Sequence, residues 1–309
     1  MKITALAGGV GGAKLVDGLA RCLPAEDLTV IVNTGDDFNH FGLRICPDLD
    51  TVCYTLAGMA NPATGWGRAG ETWNVLESLR ALDAPSWFAL GDADLGTHLE
   101  RTRRLVEGET LSQVTAAFCR AWGIPVTVLP MSDDRVSTIV QTREDGELPF
   151  QDYFVRRRCE PAVMGFRFEG LESAQPAPGV LESLRAADVI ILAPSNPWVS
   201  IGPIAALPGV MDALRAGKVV AVSPLIGGQA VKGPAARMYR DLGIEPSSRA
   251  VAEHYRGFLD AIVVDHADQQ QASDIEQWGI ISIVTDILIP GTEERQRLAR
   301  EILAYCGYS

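Results

Sequence analysis

Residues 30–54, VIVNTGDDFNHFGLRICPDLDTVCY, set four carboxylates just beyond an apolar, strand-like run. Asp36 and Asp37 share one short loop, and Asp48 and Asp50 follow at the start of a helical pattern behind Pro47. A hard divalent cation such as Mg2+ prefers several oxygen ligands, and an acidic loop where a strand ends suits one. Aspartate also caps helices and turns, so each of the four has a structural use as well. The chain opens with a second feature, the glycine turn GGVGGAK over Gly8–Lys14, placed between a strand-like and a helical segment. Backbone N–H groups at a helix N-terminus attract an anion. A phosphate cradle beside a metal-binding loop suggests phosphoryl-transfer chemistry.

The glycine turn fits neither of the common nucleotide fingerprints. Lys14 stands where the dinucleotide motif needs its third glycine, and no Gly-Lys-Ser/Thr follows four spacer residues. The second strand-like run ends on Asn33 and Thr34, not on an acid that would read a nicotinamide ribose, which disfavours NAD. A second glycine loop, IGGQAVKGP, carries Gly227, Gly228, Lys232 and Gly233, with Pro234 at what reads as a first helical position. Lys232 there can meet a phosphate or remain a solvated lysine on a turn. In SNPWVSIGP, Ser195, Asn196 and Ser200 can read a purine edge or satisfy backbone groups.

The segment GDADLGTH supplies Asp92, Asp94 and His98; Asp94 or Thr97 as a helix cap and His98 as a packed residue is the plain alternative. MSDD (131–134) follows a strand-like run in the same way. His40, between Phe38 and Phe41, can stack on a ligand ring or pack. Trp66 sits in the Gly/Pro-rich stretch Asn61–Gly70, which reads as a mobile lid, because long loops in compact domains are often functional. No GxSxG or HExxH motif supports a covalent or zinc hydrolase.

Apolar runs alternate with amphipathic stretches, the pattern of a parallel sheet with crossover helices. The expected fold is α/β: a doubly wound, mainly parallel, Rossmann-like three-layer sandwich with an inserted, partly helical lobe. One domain spans 1–309, with the core sheet from about 1–60 and 176–309 and the lobe over about 61–175. Expected helices include Gly12–Leu23, one from Asp48, Glu71–Leu82, Thr97–Glu107 and Leu111–Trp122, and Phe150–Gly170 reads as extended. Ligands of open α/β sheets gather outside the carboxyl ends of the strands. The loops Gly8–Lys14, Gly35–Asp50, Pro194–Pro203 and Ser223–Pro234 all fall there, and their convergence says more than any one of them.

Of the 309 residues, 47% are hydrophobic and 21% charged, enough for a large core. A net charge of −12 argues against a general nucleic-acid binder, whose affinity rests on neutralising phosphates. It leaves room for a nucleotide held by a local cluster of donors. Six scattered cysteines show no zinc spacing and read as reduced thiols. MKITALAGG is too short an apolar run for a signal peptide, and no stretch approaches the roughly 20 apolar residues of a membrane span. The expectation is a cytoplasmic protein with neither membrane nor nucleic acid as partner.

Taken in order, GGVGGAK, NTGDD with PDLDT, GWG with ETW, GDADLGTH, LPMSDD with VST, SNPWVSIGPI and SPLIGGQAVKGPA resemble the 2-phospho-L-lactate transferase family, CofD or FbiA, of coenzyme F(420) biosynthesis. The resemblance covers nearly the whole chain. It implies Mg2+-dependent transfer of a phospho-organic acid (2-phospho-L-lactate, phosphoenolpyruvate or 3-phosphoglycerate) from a guanosine diphosphate donor to the ribityl hydroxyl of the deazaflavin Fo, with GMP leaving. Carried onto matching positions, Asp36, Asp37 and Asp50 hold the metal, Asp50 foremost because it closes PDLD. Asp50 or Asp37 accepts the hydroxyl proton. Gly8, Gly9, Gly11, Gly12, Lys14, Ser195, Asn196, Gly227, Gly228, Lys232 and Gly233 hold the guanosine diphosphate, and His40, Trp66, Asp92 and His98 face Fo. Many relatives carry GDRD where this chain has Ala93, so any contact of that arginine is missing here. A homodimer is common in such folds. The rival of similar fold is a sugar-nucleotide-binding regulator of the YvcK type, which shares the GGxGG opening; the 36–50 loop, GWG and GDADLGTH favour the transferase.

Overall fold

The computed structural model describes residues 1–308 and is built on a seven-stranded sheet in which every pairing is parallel. Its strands are β1 (Ile3–Ala7), β2 (Leu28–Val32), β5 (Thr127–Pro130), β9 (Val189–Leu192), β10 (Val219–Val222), β13 (Ala261–Val264) and β14 (Ile281–Val284), in the order β14-β13-β10-β9-β1-β2-β5. Around it lie the hairpin β3 (Phe38–His40) and β4 (Leu43–Ile45), an antiparallel sheet of β6 (Ser137–Thr142), β7 (Gly146–Pro149) and β8 (Val163–Glu169), and the ribbon β11 (Leu225–Ile226) and β12 (Gln229–Ala230). Strands covered on both faces read as unbroken apolar runs, and VIIL, VVAV and AIVV are buried at every position.

Alternate residues of each strand serve opposite faces. Ala5, Ala7, Val30 and Val32 pack with Leu15, Leu19 and Leu298 on one side, while Leu6, Ile31, Ile190 and Leu192 pack with Leu184 and Tyr239 on the other. The result is the expected three-layer sandwich. From β1 the chain first builds β2 and β5 outward, then returns to place β9 on the other flank of β1. That reversal opens a crevice at the carboxyl ends of β1 and β9, where such sheets bind ligands.

Five helices frame the crevice: α1 (Gly9–Ala20), α2 (Pro47–Leu56), α3 (Asn74–Ala81), α4 (Asp92–Val106) and α5 (Leu111–Ala121). Pro47 starts α2 at a position that needs no N–H. Thr110 and Gln113 form a capping box that starts α5. Among the described residues no helix is long and apolar enough to cross a membrane.

Four expectations change. The first helix starts at Gly9, not Gly12, so the glycine motif is the helix's opening turn. The helix expected at Thr97 starts at Asp92 with Gly91 at its cap, so neither Asp94 nor Thr97 caps it. The cause is distant in sequence: the Glu71 carboxylate accepts from Ala93 N and Asp94 N, both at 2.8 Å, and so satisfies the first turn. Asp152–Arg156 forms a turn of π-helix inside the segment expected to be extended. Finally, β5 lies within 61–175 yet pairs with β2, so the central sheet takes a strand from the span assigned to the inserted lobe.

Candidate active site

The crevice is organised by how closely α1 approaches the loops after β2 and β9. Gly9 holds a φ of +64°, which favours glycine. A Cβ on Gly8 would lie 2.5 Å from Asp48 Oδ2 and 2.7 Å from Ser200 Cβ. On Gly11 it would meet Pro194 O at 2.6 Å, and on Gly12 Ser195 Oγ at 2.6 Å. Ser195 Oγ accepts from Gly8 N (3.0 Å) and donates to Gly8 O (2.8 Å), fastening the two loops together.

Asp48 closes this corner. Its Oδ1 accepts from Gly9 N (2.8 Å) and its Oδ2 from Asn33 Nδ2 (2.9 Å). Asn33 also donates to Val199 O (3.1 Å) and accepts from Gly35 N (2.8 Å), so the residue ending β2 positions both acid loops. Asp36, Asp37 and Asp48 are all buried. Burial pushes the Asp48 carboxyl up to about 6, against the pull of Asn33 and Gly9 N–H. Burial likewise takes Asp37 up to about 6, with Arg44, 3.1 Å away, opposing. Asp36 is held well above the ordinary range by burial first and by the Asp48 charge second. Asp36 Oδ1, Asp37 Oδ1 and Thr34 Oγ1 are buried without a hydrogen-bond partner among the described residues. Buried orphan oxygens are what a hard cation would satisfy, and Asp36 and Asp37 each carry one, while both Asp48 oxygens already accept hydrogen bonds.

Asp50 behaves differently. Two residues along α2 correspond to a turn of about 200°, and Asp50 faces α4 instead of the glycine turn. Arg101, 2% exposed, grips both its oxygens, with Nη1 3.1 Å from Oδ2 and Nη2 on Oδ1. The same guanidinium lies 3.1 Å from His98 Nδ1 and donates to Arg44 O at 3.3 Å. His98 Nε2 lies 3.4 Å from Asp94 Oδ1, and the Tyr54 hydroxyl is 2.7 Å from both Asp94 Oδ1 and Thr97 Oγ1. Burial would raise Asp94, but the His98 hydrogen bond and charge, helped by Tyr54, bring it below its usual value. Ligand atoms of Asp50, Asp94 and His98 lie within 4.8 Å of one another, a spacing that could also hold a metal. Arg101 already supplies positive charge there.

The remaining expected residues are spread around the crevice. Lys14, Lys232 and the 61–70 loop meet over the glycine turn. Lys232 Nζ donates to Thr64 O (2.6 Å), a Cβ on Gly65 would lie 2.7 Å from Val10 Cγ1, and Lys14 is lowered by burial and then by Arg295 and Lys232. Gly227, Gly228 and Gly233 take φ values of +55°, +73° and +78°, and Gly227 N donates to Asp268 (3.1 Å). Asn196 caps the turn after β9, accepting from Trp198 N (3.0 Å), and its amide reaches Met238 Sδ (3.2 Å). His40 is buried edge-to-face against Phe41 and Trp87, with centroids at 4.5 and 5.4 Å, and its pKa is lowered by burial and the His98 charge. Trp66 lines a small cleft with Arg68, Glu71, Trp73 and Asp94. Asp92 spends its carboxylate on Thr72 Oγ1 (2.6 Å), Asn74 N (3.1 Å) and Nδ2 (2.8 Å), and Val75 N (3.1 Å). Those bonds, Thr72's foremost, hold it at about 2.

Asn33, Asp48, Glu71 and Arg101 were absent from the assigned set. Asp48 was visible as one of four acids, and only helical geometry separates it from Asp50. Arg101 hides in ERTRR, whose Glu100, Arg103 and Arg104 are surface pairs.

A parallel sheet with helices on both faces, a crevice at its switch point and a glycine-rich helix start there define a Rossmann-like α/β protein. In fold it is similar to a UPF0052-family protein from Bacillus halodurans, with a TM-score of 0.63 at 16% identity over 98% of this chain and 99% of that one. The chain belongs to the CofD family, a family of transferases: the family profile described as "2-phospho-L-lactate transferase CofD" matches residues 3–297. It is 46% identical to a phosphoenolpyruvate transferase of Streptomyces avermitilis over 98% of both chains. It is 48% identical to one of Thermobifida fusca over 87% of both, and 42% identical to one of Mycobacterium sp. (strain KMS) over 93% of this chain and 94% of that one.

Proposed function

We propose that this chain moves a phosphoenolpyruvate group from a guanosine diphosphate donor to the terminal ribityl hydroxyl of the deazaflavin Fo, releasing GMP, in coenzyme F(420) biosynthesis. The names of the relatives support the phosphoenolpyruvate group among the three-carbon acids. The observation that supports the reading is the pair of buried, unpartnered oxygens on Asp36 and Asp37, in the loop after β2, beside Asp48, which accepts from the N–H of Gly9 at the start of α1.

In this reading the opening turn of α1 and Lys14 receive the donor's phosphates, where the helix dipole and a lysine offset their charge. Asp36, Asp37 and Asp48 would hold Mg2+, which when bound neutralises charge on the phosphorus oxygens. The new bond joins the ribityl oxygen to the phosphorus bearing the acid, and the bond to the GMP oxygen breaks. Asp37 is the better proton acceptor of the two expected: its value of about 6 leaves it largely ionised near neutrality, and its Oδ1 has no partner. Asp50 is engaged by Arg101. Trp66 and Trp73 offer aromatic faces to the acceptor beside this cleft, and the Lys232–Thr64 contact would keep the 61–70 loop closed over the donor and exclude water.

Mass spectrometry of products from Fo and each guanylylated acid tests the reading. The expected result is an Fo adduct heavier by the phosphoenolpyruvate group, with GMP formed in equal amount. No adduct from any donor, with thermal stabilisation by UDP-N-acetylglucosamine alone, would sink it.

A further inference from the structure

A cavity of about 340 Å³ lies away from the glycine turn, between the β3–β4 hairpin, the C-terminal half of α4, the start of α5 and the loop after β5. One wall is apolar and includes Leu105, Val106 and Leu111. Val106 is 81% exposed and Leu105, beside it, also lines the cavity. Arg44 and Arg135 line the same cavity. Arg135 has no hydrogen-bond or ion-pair partner among the described residues. The Arg44 guanidinium has one, Asp37 at 3.1 Å, and so keeps donors to spare. The one carboxylate in the lining, Asp133, is committed to Ser112 N (2.7 Å) and Oγ (2.8 Å). In a chain of net charge −12, two arginines with spare donors in one cavity with apolar side chains are a local exception.

We propose that this cavity is a second ligand site, for a small organic anion with an apolar body and a carboxylate or phosphate head. The head would lie between the two guanidinium forks, whose geometry matches either group, and the body would cover Leu105 and Val106. The volume lies in the range of small-molecule sites. Arg44 is shared with Asp37, so an occupant of this site and the acid cluster draw on one cation. The site does not depend on the transferase reading: it would exist whatever the glycine turn binds.

Calorimetric titration with phenyl phosphate, benzoate and inorganic phosphate tests the proposal on the whole chain, alone and with saturating GDP. Phenyl phosphate or benzoate should bind once per chain and more tightly than inorganic phosphate; the tighter of the two identifies the preferred head group. Arg135→Ala and Val106→Glu, both at exposed positions, should each weaken that binding at least about tenfold, the size of one charge-assisted contact, and leave GDP binding unchanged. Equal affinity in both variants, equal affinity for inorganic phosphate, displacement of the probe by GDP, or no binding of either organic anion would each overturn it.

Discussion

Asp48 and Asp50 are two residues apart on the first turn of one helix and meet opposite fates. Asp48 turns toward Gly9 and Asn33; of the nearby buried acids Asp37 pairs with Arg44, and Asp36 and Asp37 each keep an oxygen with no partner among the described residues. Asp50 turns toward α4, where Arg101 bonds it and meets His98 Nδ1 and Tyr54 bonds Asp94, while His98 Nε2, 3.4 Å from Asp94, is buried with no hydrogen-bond partner among the described residues. The first cluster costs stability and waits for charge from outside. The second supplies its own countercharge and fixes α2 against α4. A motif that repeats Asp at alternate helical positions thus sends one carboxylate to the glycine turn and the other to an arginine on α4.

The sharpest way to break this contrast is to unpair the second cluster. Arg101→Ala strands the Asp50 charge in the interior and should cost about 3–5 kcal/mol of stability, read as a lower urea midpoint. A loss under about 1 kcal/mol would mean that the network is not structural. Asp48→Asn should do the reverse, keeping or raising stability while cutting turnover at least about 100-fold, as expected when a metal-held transition state loses a ligand. Steady-state rates on the folded variant decide it, and near-normal turnover would remove Asp48 from the site.

The pH dependence sharpens the comparison further. A carboxyl whose folded value is raised contributes stability that is present below its unfolded value near 4 and is lost as pH climbs through the folded one. Asp37 and Asp48, both at about 6, should therefore make the metal-free protein less stable between about pH 4 and pH 7. Mg2+ should raise Tm at pH 7.5 and barely at pH 5, where those acids carry protons. Equal gains at both pH values would contradict the cluster as its seat. The smallest effect is expected at the cleft: Trp66→Ala should raise KM for Fo severalfold and leave GDP affinity alone, and an unchanged KM would remove Trp66 from the acceptor site.

Much of this was legible in the chain. Unbroken apolar strands announced a parallel sheet, and the glycine turn and acid loops announced its working edge, because these features depend on local pattern. Partnerships across long separations were not. Glu71 starts a helix more than twenty residues downstream, Arg101 reaches back about fifty to Asp50, and β5 crosses from the expected lobe into the sheet. Nothing in the neighbourhood of those residues encodes the partner. Asp48 and Asp50 differ by helical phase, and the sequence places both on one helix start without showing which partner each phase meets.

The central claim of the proposal is that the cation sits with Asp36, Asp37 and Asp48, not with Asp50, Asp94 and His98. Electron paramagnetic resonance of Mn2+ bound in the presence of GDP, measured on wild type, Asp48→Asn and Asp94→Asn, tests it most directly. The account predicts that Asp48→Asn abolishes the bound signal and Asp94→Asn preserves it. The opposite pattern would put the metal in the α2–α4 network and contradict the account.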